Sequence, residues 1–182
     1  MRARTYFILA VLAFLAAVVY IIWLPSEVDN ELLKTVEQLH KRHGADIAKD
    51  DYRVIVDYSL PIYSKRLWVI DAKTGDVVIH SHVSHAWKSG FLFATDLSNE
   101  VNSEKSCGGA FVTDKAYNGD FGNAMRIKGL DAGINDNAYS RAIVFHESFW
   151  PWSRGCFMTL PSTNRKLIDL TGGGALLYVN GR

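Results

Sequence analysis

The sequence is poor in cysteine, with Cys107 and Cys156 the two among 182 residues. The chain can therefore form at most one disulfide. It has no block of Lys and Arg with interleaved aromatic residues, and its 20 basic residues nearly balance 19 acidic ones. Nucleic acid is therefore not expected as a partner. Repeats and low-complexity tracts are also missing, so the length suits one domain with a sizeable core plus an appendage.

Candidate metal ligands are scarce as well. His80, His82 and His85 lie close together in the sequence. Their spacing at the end of a strand does not by itself form a closed metal site, and no cluster of cysteines or carboxylates adds to them. We therefore expect no metal and no cofactor.

The N-terminus supplies the appendage. Arg2 and Arg4 precede an uncharged, mostly apolar run from Tyr6 to Leu24, which in a helix is about as long as the hydrocarbon core of a bilayer is thick. The basic flank predicts a cytoplasmic N-terminus, and the bulky end of the run makes a poor cleavage site. We predict a single-pass transmembrane signal anchor over residues 1–25, with the rest of the chain exported; with the family resemblance given below, this becomes an anchor in the inner or cytoplasmic membrane and a domain that faces the periplasm or cell wall. A cleaved signal peptide is the alternative.

The anchor leads into residues 26–49, which are predicted to form an amphipathic helix or linker. Gly44 suits the C-terminal end of this helix. An apolar stripe left in water is costly, so the helix is expected to lie on the following domain. The stripe has helical spacing and comprises Val28, Leu32, Leu33, Val36 and Leu39.

Short strands dominate the main domain, residues 50–182. They are predicted over Arg53–Tyr58, Arg66–Asp71, Val77–Val83, Ala110–Thr113, Ala124–Ile127, Ala142–Phe145 and Ala175–Val179. A hairpin turn with Gly75 at positive φ is expected between the second and third, and one helix over Ser162–Leu170. The pattern predicts a mainly β (β-rich α+β) fold, a sheet or a β-sandwich with one or two packed helices. The polar segment Phe91–Gly109 is either a flap over a binding site or a plain surface loop.

A base and a nucleophile follow one another near the end of the chain. The strand predicted over Ala142–Phe145 delivers His146 at its end, and Ser153–Cys156 comes soon after it. Gly155 permits a tight turn whose N–H groups would face the substrate, and Arg154 would favour the thiolate of the cysteine. This pattern predicts acyl transfer through a thioester.

Two readings without catalysis stay open for these residues. A free cysteine is commonly a small buried apolar residue, and a histidine is often only a hydrogen-bonded polar group. Alternatively, Cys107 and Cys156 form a disulfide, which would leave no nucleophile.

Further motifs in a fixed order give the cysteine and histidine a context. They are Val56–Pro61, Ser64–Val69, His85, Ser89, Gly90, Gly119, Gly122, Arg126, Gly129, Leu130, Gly133–Ala138, Arg141–His146, Ser153–Cys156, Leu160, Pro161 and Val179–Gly181. With these blocks, the chain over Arg53–Gly181 resembles an L,D-transpeptidase catalytic domain of the YkuD type, in its murein L,D-transpeptidase branch. The resemblance implies an L,D-transpeptidase-like β-sandwich in residues 50–182 and no cofactor.

The family resemblance implies a cysteine enzyme of peptidoglycan. Such an enzyme attacks the L-to-D peptide bond after the third residue of a tetrapeptide stem and passes the acyl group to an amine, giving 3-3 cross-links or D-amino acid exchange. Cys156 resembles the nucleophile and His146 the general base. The oxyanion turn corresponds to Ser153, Arg154 and Gly155, and substrate contacts are expected from His85, Ser89, Arg126, Arg141 and Glu147.

The chain departs from the family pattern around this pair. Glu147 follows the histidine where relatives commonly have glycine, Ser148–Trp152 forms a short bridge, and Phe157 and Met158 follow the cysteine. Two other functions therefore stay open. One is an L,D-carboxypeptidase or cross-link hydrolase that uses water with the same Cys and His, and the other is an inactive wall-binding scaffold. The sequence does not indicate an oligomeric state.

Overall fold

The structure is a computed structural model that describes the backbone of residues 2–23 and 27–181 and the side chains of residues 5–16 and 27–181. The described residues form three α-helices, α1 (Arg2–Trp23), α2 (Asn30–Arg42) and α3 (Pro161–Thr171). The strands are β1 (Tyr52–Asp57), β2 (Leu67–Asp71), β3 (Val77–Ser81), β4 (His85–Ala86), β5 (Gly109–Gly119), β6 (Gly122–Gly129), β7 (Val144–Glu147), β8 (Trp152–Ser153), β9 (Phe157–Thr159) and β10 (Leu176–Asn180). The predicted mainly β fold with packed helices is confirmed.

Eight of the strands form one mixed sheet. Its order is β3-β2-β1-β10-β5-β6-β7-β9, while β4 and β8 pair separately as a two-stranded sheet. Within the large sheet, β1–β10 and β7–β9 are parallel pairs and the other neighbours are antiparallel. Gly75, in the turn between β2 and β3, has the expected positive φ of 78°.

Helix α2 covers one face of the sheet, as its apolar stripe predicted. Asp29 caps its N-terminus by accepting a hydrogen bond from the N–H of Glu31 at 2.8 Å. Leu32, Val36 and Leu39 are buried in a cluster that also holds side chains of β1, β2, β5 and β10. At the C-terminal end, His43 is the cap residue, and Gly44 begins a short 3-10 turn instead of ending the helix.

Helix α3 packs on the opposite face, in the main core. Leu167 is fully buried there among side chains of β1, β2, β5, β6, β7 and β9. The helix also contacts the two edge strands, β3 and β9. Those edges approach each other, because the N–H of Ser84, just after β3, donates to the carbonyl of Met158 on β9 at 3.0 Å. The sheet therefore curls around α3.

The strand pattern left a sheet or a sandwich open, and the resemblance implied a sandwich. The described core strands form one curled sheet of eight strands. The pairing of β5 with β6 has a register shift between Thr113 and Ala116, where an irregularity of this kind increases the twist. A sequence pattern of short strands does not reveal which of them pair.

The strand that carries His146 lies further along the chain than predicted. It was expected over Ala142–Phe145 and is observed over Val144–Glu147. Ala142 has a φ of 55°, a left-handed conformation that does not fit a strand. His146 therefore lies inside β7 rather than beyond its end.

The structure describes only part of the predicted anchor over residues 1–25. Residues 2–23 form helix α1, whereas residues 1 and 24–26 lie outside the described residues. Within the described part of the chain, no helix has both the length and the apolar character needed to cross a membrane.

Candidate active site

Cys156 and His146 line the same cleft, which has a volume of about 780 Å³. Strand β7 carries His146, and its parallel neighbour β9 begins directly after Cys156. The register pairs His146 with Met158, so the cysteine lies beside the strand that holds the histidine. The sheet thus brings together two residues that are ten positions apart in the sequence.

The backbone fixes the orientation of the His146 ring. Its Nδ1 lies 3.0 Å from the carbonyl oxygen of Glu147. Because a carbonyl accepts only, Nδ1 carries the hydrogen and Nε2 is the unprotonated nitrogen of the neutral ring. Burial lowers the pKa of His146 below its usual 6.5, and the Glu147 bond opposes this change. The neutral ring is therefore the resting form, and it can accept a proton.

The thiol of Cys156 is protonated in the resting site. Its Sγ donates to the carbonyl oxygen of Ala142 at 3.8 Å. Burial raises the pKa of Cys156 above its usual 9.0, while the N–H of Val144 and the charge of Arg141 counteract part of the rise. The Cys–His pair is therefore neutral near pH 7, and the nucleophile must be activated by proton transfer to the histidine.

We expect the pH dependence of thiol labelling to show this neutral pair. A raised pKa means less thiolate at a given pH, so iodoacetamide should label Cys156 more slowly at pH 7 than it labels a model thiol, with half-maximal rate above pH 9. A peptide map, with Cys156→Ala as the control, assigns the label. Faster labelling at pH 7 than that of the model thiol would contradict the neutral pair.

The cation that acts on Cys156 is Arg141, not Arg154. Arg141 donates to the carbonyls of Ser98 at 2.6 Å and Lys105 at 2.5 Å. It thereby holds the 98–105 loop against the cleft and lowers the thiol pKa. The side chain of Arg154 is 83% exposed and pairs with Glu104. The charge of Arg154 is thus paired with Glu104, whereas the charge of Arg141 lowers the pKa of the Cys156 thiol.

The turn before Cys156 is fixed by Ser153 and Gly155. The N–H of Gly155 donates to the Oγ of buried Ser153 at 3.1 Å. In the described site this N–H is thus used within the turn rather than directed at a substrate. Gly155 has a φ of 128°, and a Cβ there would lie 3.2 Å from the carbonyl oxygen of Lys105. Glycine is therefore required for the backbone conformation that presents the cysteine.

Substitution Gly155→Ala is expected to impair both stability and activity. Strain at this φ costs about 1–3 kcal/mol, and relief of the contact with Lys105 would displace Cys156. We expect at least a tenfold loss of turnover together with a lower melting temperature. Gly75→Ala is the matched control, since it also has positive φ but open space around its Cβ and lies in a distant turn. Equal activity of the two variants would contradict this role of Gly155.

Ser84 positions the nucleophile and was missed by the sequence analysis. Its Oγ donates to the carbonyl of Cys156 at 3.2 Å and accepts from the N–H of Met158 at 2.8 Å. Both bonds join the chain after β3 to the start of β9. Serine is common in loops, and no sequence signal distinguishes this one from its neighbours.

His85 and Ser89 lie outside the cleft lining and support its wall. His85 is fully buried between Arg66, which donates to Nδ1 at 2.8 Å, and the Gly90 carbonyl, which accepts from Nε2 at 2.7 Å. Burial lowers its pKa to about 4. The Oγ of Ser89 accepts from the N–H of Ser106 at 2.9 Å. The expected substrate contacts from these residues are replaced by internal hydrogen bonds.

Arg126 and Glu147 are also engaged away from the cleft. The guanidinium of Arg126 lies over the rings of Tyr117 and Tyr139, at 5.4 and 5.2 Å from their centroids. The carboxylate of Glu147 accepts from the side chain of Asn123 at 3.1 Å. Of the residues expected to contact substrate, Arg141 is the one that lines the cleft.

The second cysteine is separate from the site. Cys107 is fully buried, and both cysteines are free thiols. Burial raises the pKa of Cys107 to about 11, which makes it a poor nucleophile. The predicted alternative of a Cys107–Cys156 disulfide is therefore not observed. Among the described residues, no group of His, Cys, Asp or Glu is arranged to hold a metal ion.

Comparison with known proteins gives a family match over most of the chain. The sequence profile of the L,D-transpeptidase catalytic domain matches residues 25–180. No curated protein gives a significant match. Among solved structures, an L,D-transpeptidase from Stackebrandtia nassauensis has 18% identity and a TM-score of 0.47, covering 75% of this chain and 58% of that one.

Two further solved structures are similar. The helical cell shape determining protein from Campylobacter jejuni has 8% identity and a TM-score of 0.52, covering 75% of this chain and 49% of that one. An L,D-transpeptidase in complex with imipenem has 13% identity and a TM-score of 0.45, covering 71% of this chain and 59% of that one. The chain thus spans less than two thirds of the length of each of these proteins.

The profile match includes α2, the whole sheet and α3, together with the cleft that holds Cys156 and His146. This agrees with the resemblance carried by the sequence motifs. The chain belongs to the L,D-transpeptidase catalytic-domain family.

Proposed function

We propose that the chain is a peptidoglycan L,D-transpeptidase that forms an acyl-enzyme on Cys156 with tetrapeptide stems. The observation that carries the proposal is the cleft lined by both Cys156 and His146, in which the Nδ1 of the histidine is held by the Glu147 carbonyl. That bond leaves Nε2 as the proton acceptor. The family match supports peptidoglycan as the substrate class.

In the first half-reaction the Sγ of Cys156 bonds to the carbonyl carbon of the scissile amide, and its proton passes to Nε2 of His146. The C–N bond then breaks, and the imidazolium returns the proton to the leaving amine of the D-amino acid. The product is a thioester on Cys156. Burial lowers the pKa of His146, so its imidazolium gives up the proton readily.

In the second half-reaction an acceptor amine attacks the thioester. It gives its proton to Nε2 as the new amide forms, and the departing Sγ takes that proton back, which restores the neutral pair. We propose an amine as the acceptor, from a second stem or a free D-amino acid. Water would use the same residues and release a tripeptide stem.

Product analysis tests the acceptor as well as the reaction. The full-length chain in detergent is incubated with disaccharide tetrapeptide, with and without an added D-amino acid. Without the added D-amino acid we expect 3-3 linked dimers. With it we expect tetrapeptides that carry the added residue at their end. Tripeptide as the sole product would show a carboxypeptidase. If Cys156→Ala gives the same products as the wild type, or neither gives any, the inactive wall-binding scaffold is favoured.

We further propose that the domain acts outside the cytoplasm, as the basic flank and apolar run of residues 2–24 predict. A fusion of residues 1–30 to a reporter enzyme that folds only after export tests this location. Export predicts an active reporter, and retention of the inactive reporter in the cytoplasm would contradict it.

A further inference from the structure

Three aromatic rings form a fixed cluster beside the cleft, which we call the aromatic platform: Trp87, Phe91 and Trp152. The centroids of Trp87 and Trp152 are 5.1 Å apart, those of Phe91 and Trp152 are 5.1 Å apart, and those of Trp87 and Phe91 are 5.7 Å apart. The indole N–H of Trp152 donates to the carbonyl of Phe91 at 2.9 Å. The rings are therefore held in place before any ligand arrives.

The platform is exposed although its rings are large and apolar. Trp87 is 57% exposed and Phe91 is 58% exposed. Leaving such surface in water gives up stabilisation that grows with the exposed apolar area. A contiguous exposed apolar patch of this kind marks a binding surface.

The platform is continuous with the site of the Cys–His pair. Trp87 and Trp152 line the same cleft as Cys156. Trp152 lies on β8, which pairs with β4 immediately before Trp87. The chain from Trp152 to Cys156 is the turn that presents the nucleophile, so a ligand on the platform and a substrate at the thiol would share one channel.

Charged groups border the aromatic faces. Lys88, next to Trp87, pairs with Glu104 at 2.7 Å, and Glu104 also pairs with Arg154. Glu104 and Arg154 line the cleft together with Asn102. An apolar face beside a row of donors and acceptors matches a pyranose, whose C–H face stacks on an aromatic ring while its hydroxyls form hydrogen bonds at the edge.

We propose that the aromatic platform binds an amino-sugar ring of the glycan strand that carries the stem peptide. This inference rests on the proposed function, because peptidoglycan joins its sugar to the first residue of the stem. The scissile bond follows the third residue, and three extended residues span about 10 Å. Because Trp87 and Cys156 line one cleft, the sugar and the scissile bond of one substrate would lie in the same cleft.

The charges at the edge of the platform have both signs, because Lys88 and Arg154 each pair with Glu104. Hydroxyl and acetamido groups of a sugar can form hydrogen bonds to both signs of charge. Two cations and one carboxylate also leave a net positive charge, so anionic lipid vesicles are the comparison in the binding assay.

Substrate comparison tests the proposal through a ratio rather than through absolute activity. The measured ratio is KM for the free tetrapeptide divided by KM for the disaccharide tetrapeptide. For the full-length wild type in detergent, we expect this ratio to be about two to ten, the factor that one aromatic contact gives. In Trp87→Ala the ratio should fall to about one. Phe91→Ala, which keeps the backbone carbonyl that holds Trp152, should also lower the ratio.

Phe149→Ala is the matched control, since Phe149 is 82% exposed and lies in a neighbouring groove rather than in this cleft. It should keep the wild-type ratio. A ratio of one in the wild type, or an unchanged ratio in Trp87→Ala, would overturn the proposal.

A binding assay separates this proposal from the proposed function. Tryptophan fluorescence of the full-length Cys156→Ala variant is titrated with an N-acetylglucosamine oligomer and, separately, with anionic lipid vesicles. We expect saturable binding of the oligomer that Trp87→Ala abolishes. Platform-dependent binding of vesicles alone would overturn the sugar assignment. If the wild-type protein binds the oligomer but does not turn over stem peptides, the sugar site is supported and the proposed transpeptidase function is contradicted.

Discussion

Substitution of Cys156 by alanine is expected to lower turnover of the tetrapeptide stem by about 10⁴-fold or more, because it removes the atom that forms the acyl-enzyme. The fold should tolerate the change. The thiol makes one weak hydrogen bond, at 3.8 Å to Ala142, and Ser84 holds the backbone of residue 156 through its carbonyl. We expect the free energy of unfolding to change by no more than about 1 kcal/mol.

Cys107→Ala is the control for the loss of a thiol. Cys107 is fully buried outside the cleft, so this variant should lose some stability and keep its turnover per folded molecule. Activity measured beside thermal unfolding separates the two effects. A Cys156→Ala variant that still forms cross-links would show that another residue is the nucleophile.

Replacement of His146 by glutamine is expected to reduce kcat/KM by about 10²- to 10⁴-fold, the range typical of a lost general base. The resting thiol is protonated because burial raises the pKa of Cys156. Without Nε2 of His146, no positioned acceptor takes the thiol proton, and no acid returns it to the leaving amine. The loss should therefore appear in acylation, measured as the rate of D-amino acid release in a single turnover.

Glu147→Gln is the matched control for the neighbouring residue. The histidine is held by the backbone carbonyl of Glu147, while its side chain contacts Asn123. Glutamine keeps both groups, so we expect a change of less than about threefold. A loss as large as that of His146→Gln would show that the carboxylate itself takes part in the reaction.

The strands that could be predicted are those with enough residues to show a pattern. Runs such as Arg53–Tyr58 contain several buried β-branched residues, and β1 is observed at nearly the same place. Strands β8 and β9 have two and three residues, which is too short for any periodicity. The left-handed Ala142 moved the start of β7, and alanine gives no sequence signal of positive φ.

Site residues could be predicted where the residues that react together are close in the sequence. The sequence placed Cys156 and His146 together because they are close in the chain, and the structure brings both to one cleft. Side-chain direction was not predictable. Arg154 is adjacent to Cys156 but pairs with Glu104, whereas Arg141 reaches the loop and the cleft from fifteen residues before Cys156. Long-range contacts of this kind depend on the curled sheet.

The central claim, that Cys156 is the nucleophile of an acyl-enzyme, is tested most directly by the intact mass of the protein after incubation with imipenem. The β-lactam carbonyl takes the place of the scissile amide, and ring opening leaves a stable thioester. We predict one adduct per wild-type chain, mapped to the peptide that contains Cys156, and none on Cys156→Ala. An unmodified wild-type protein, or the same adduct on Cys156→Ala, would contradict the claim.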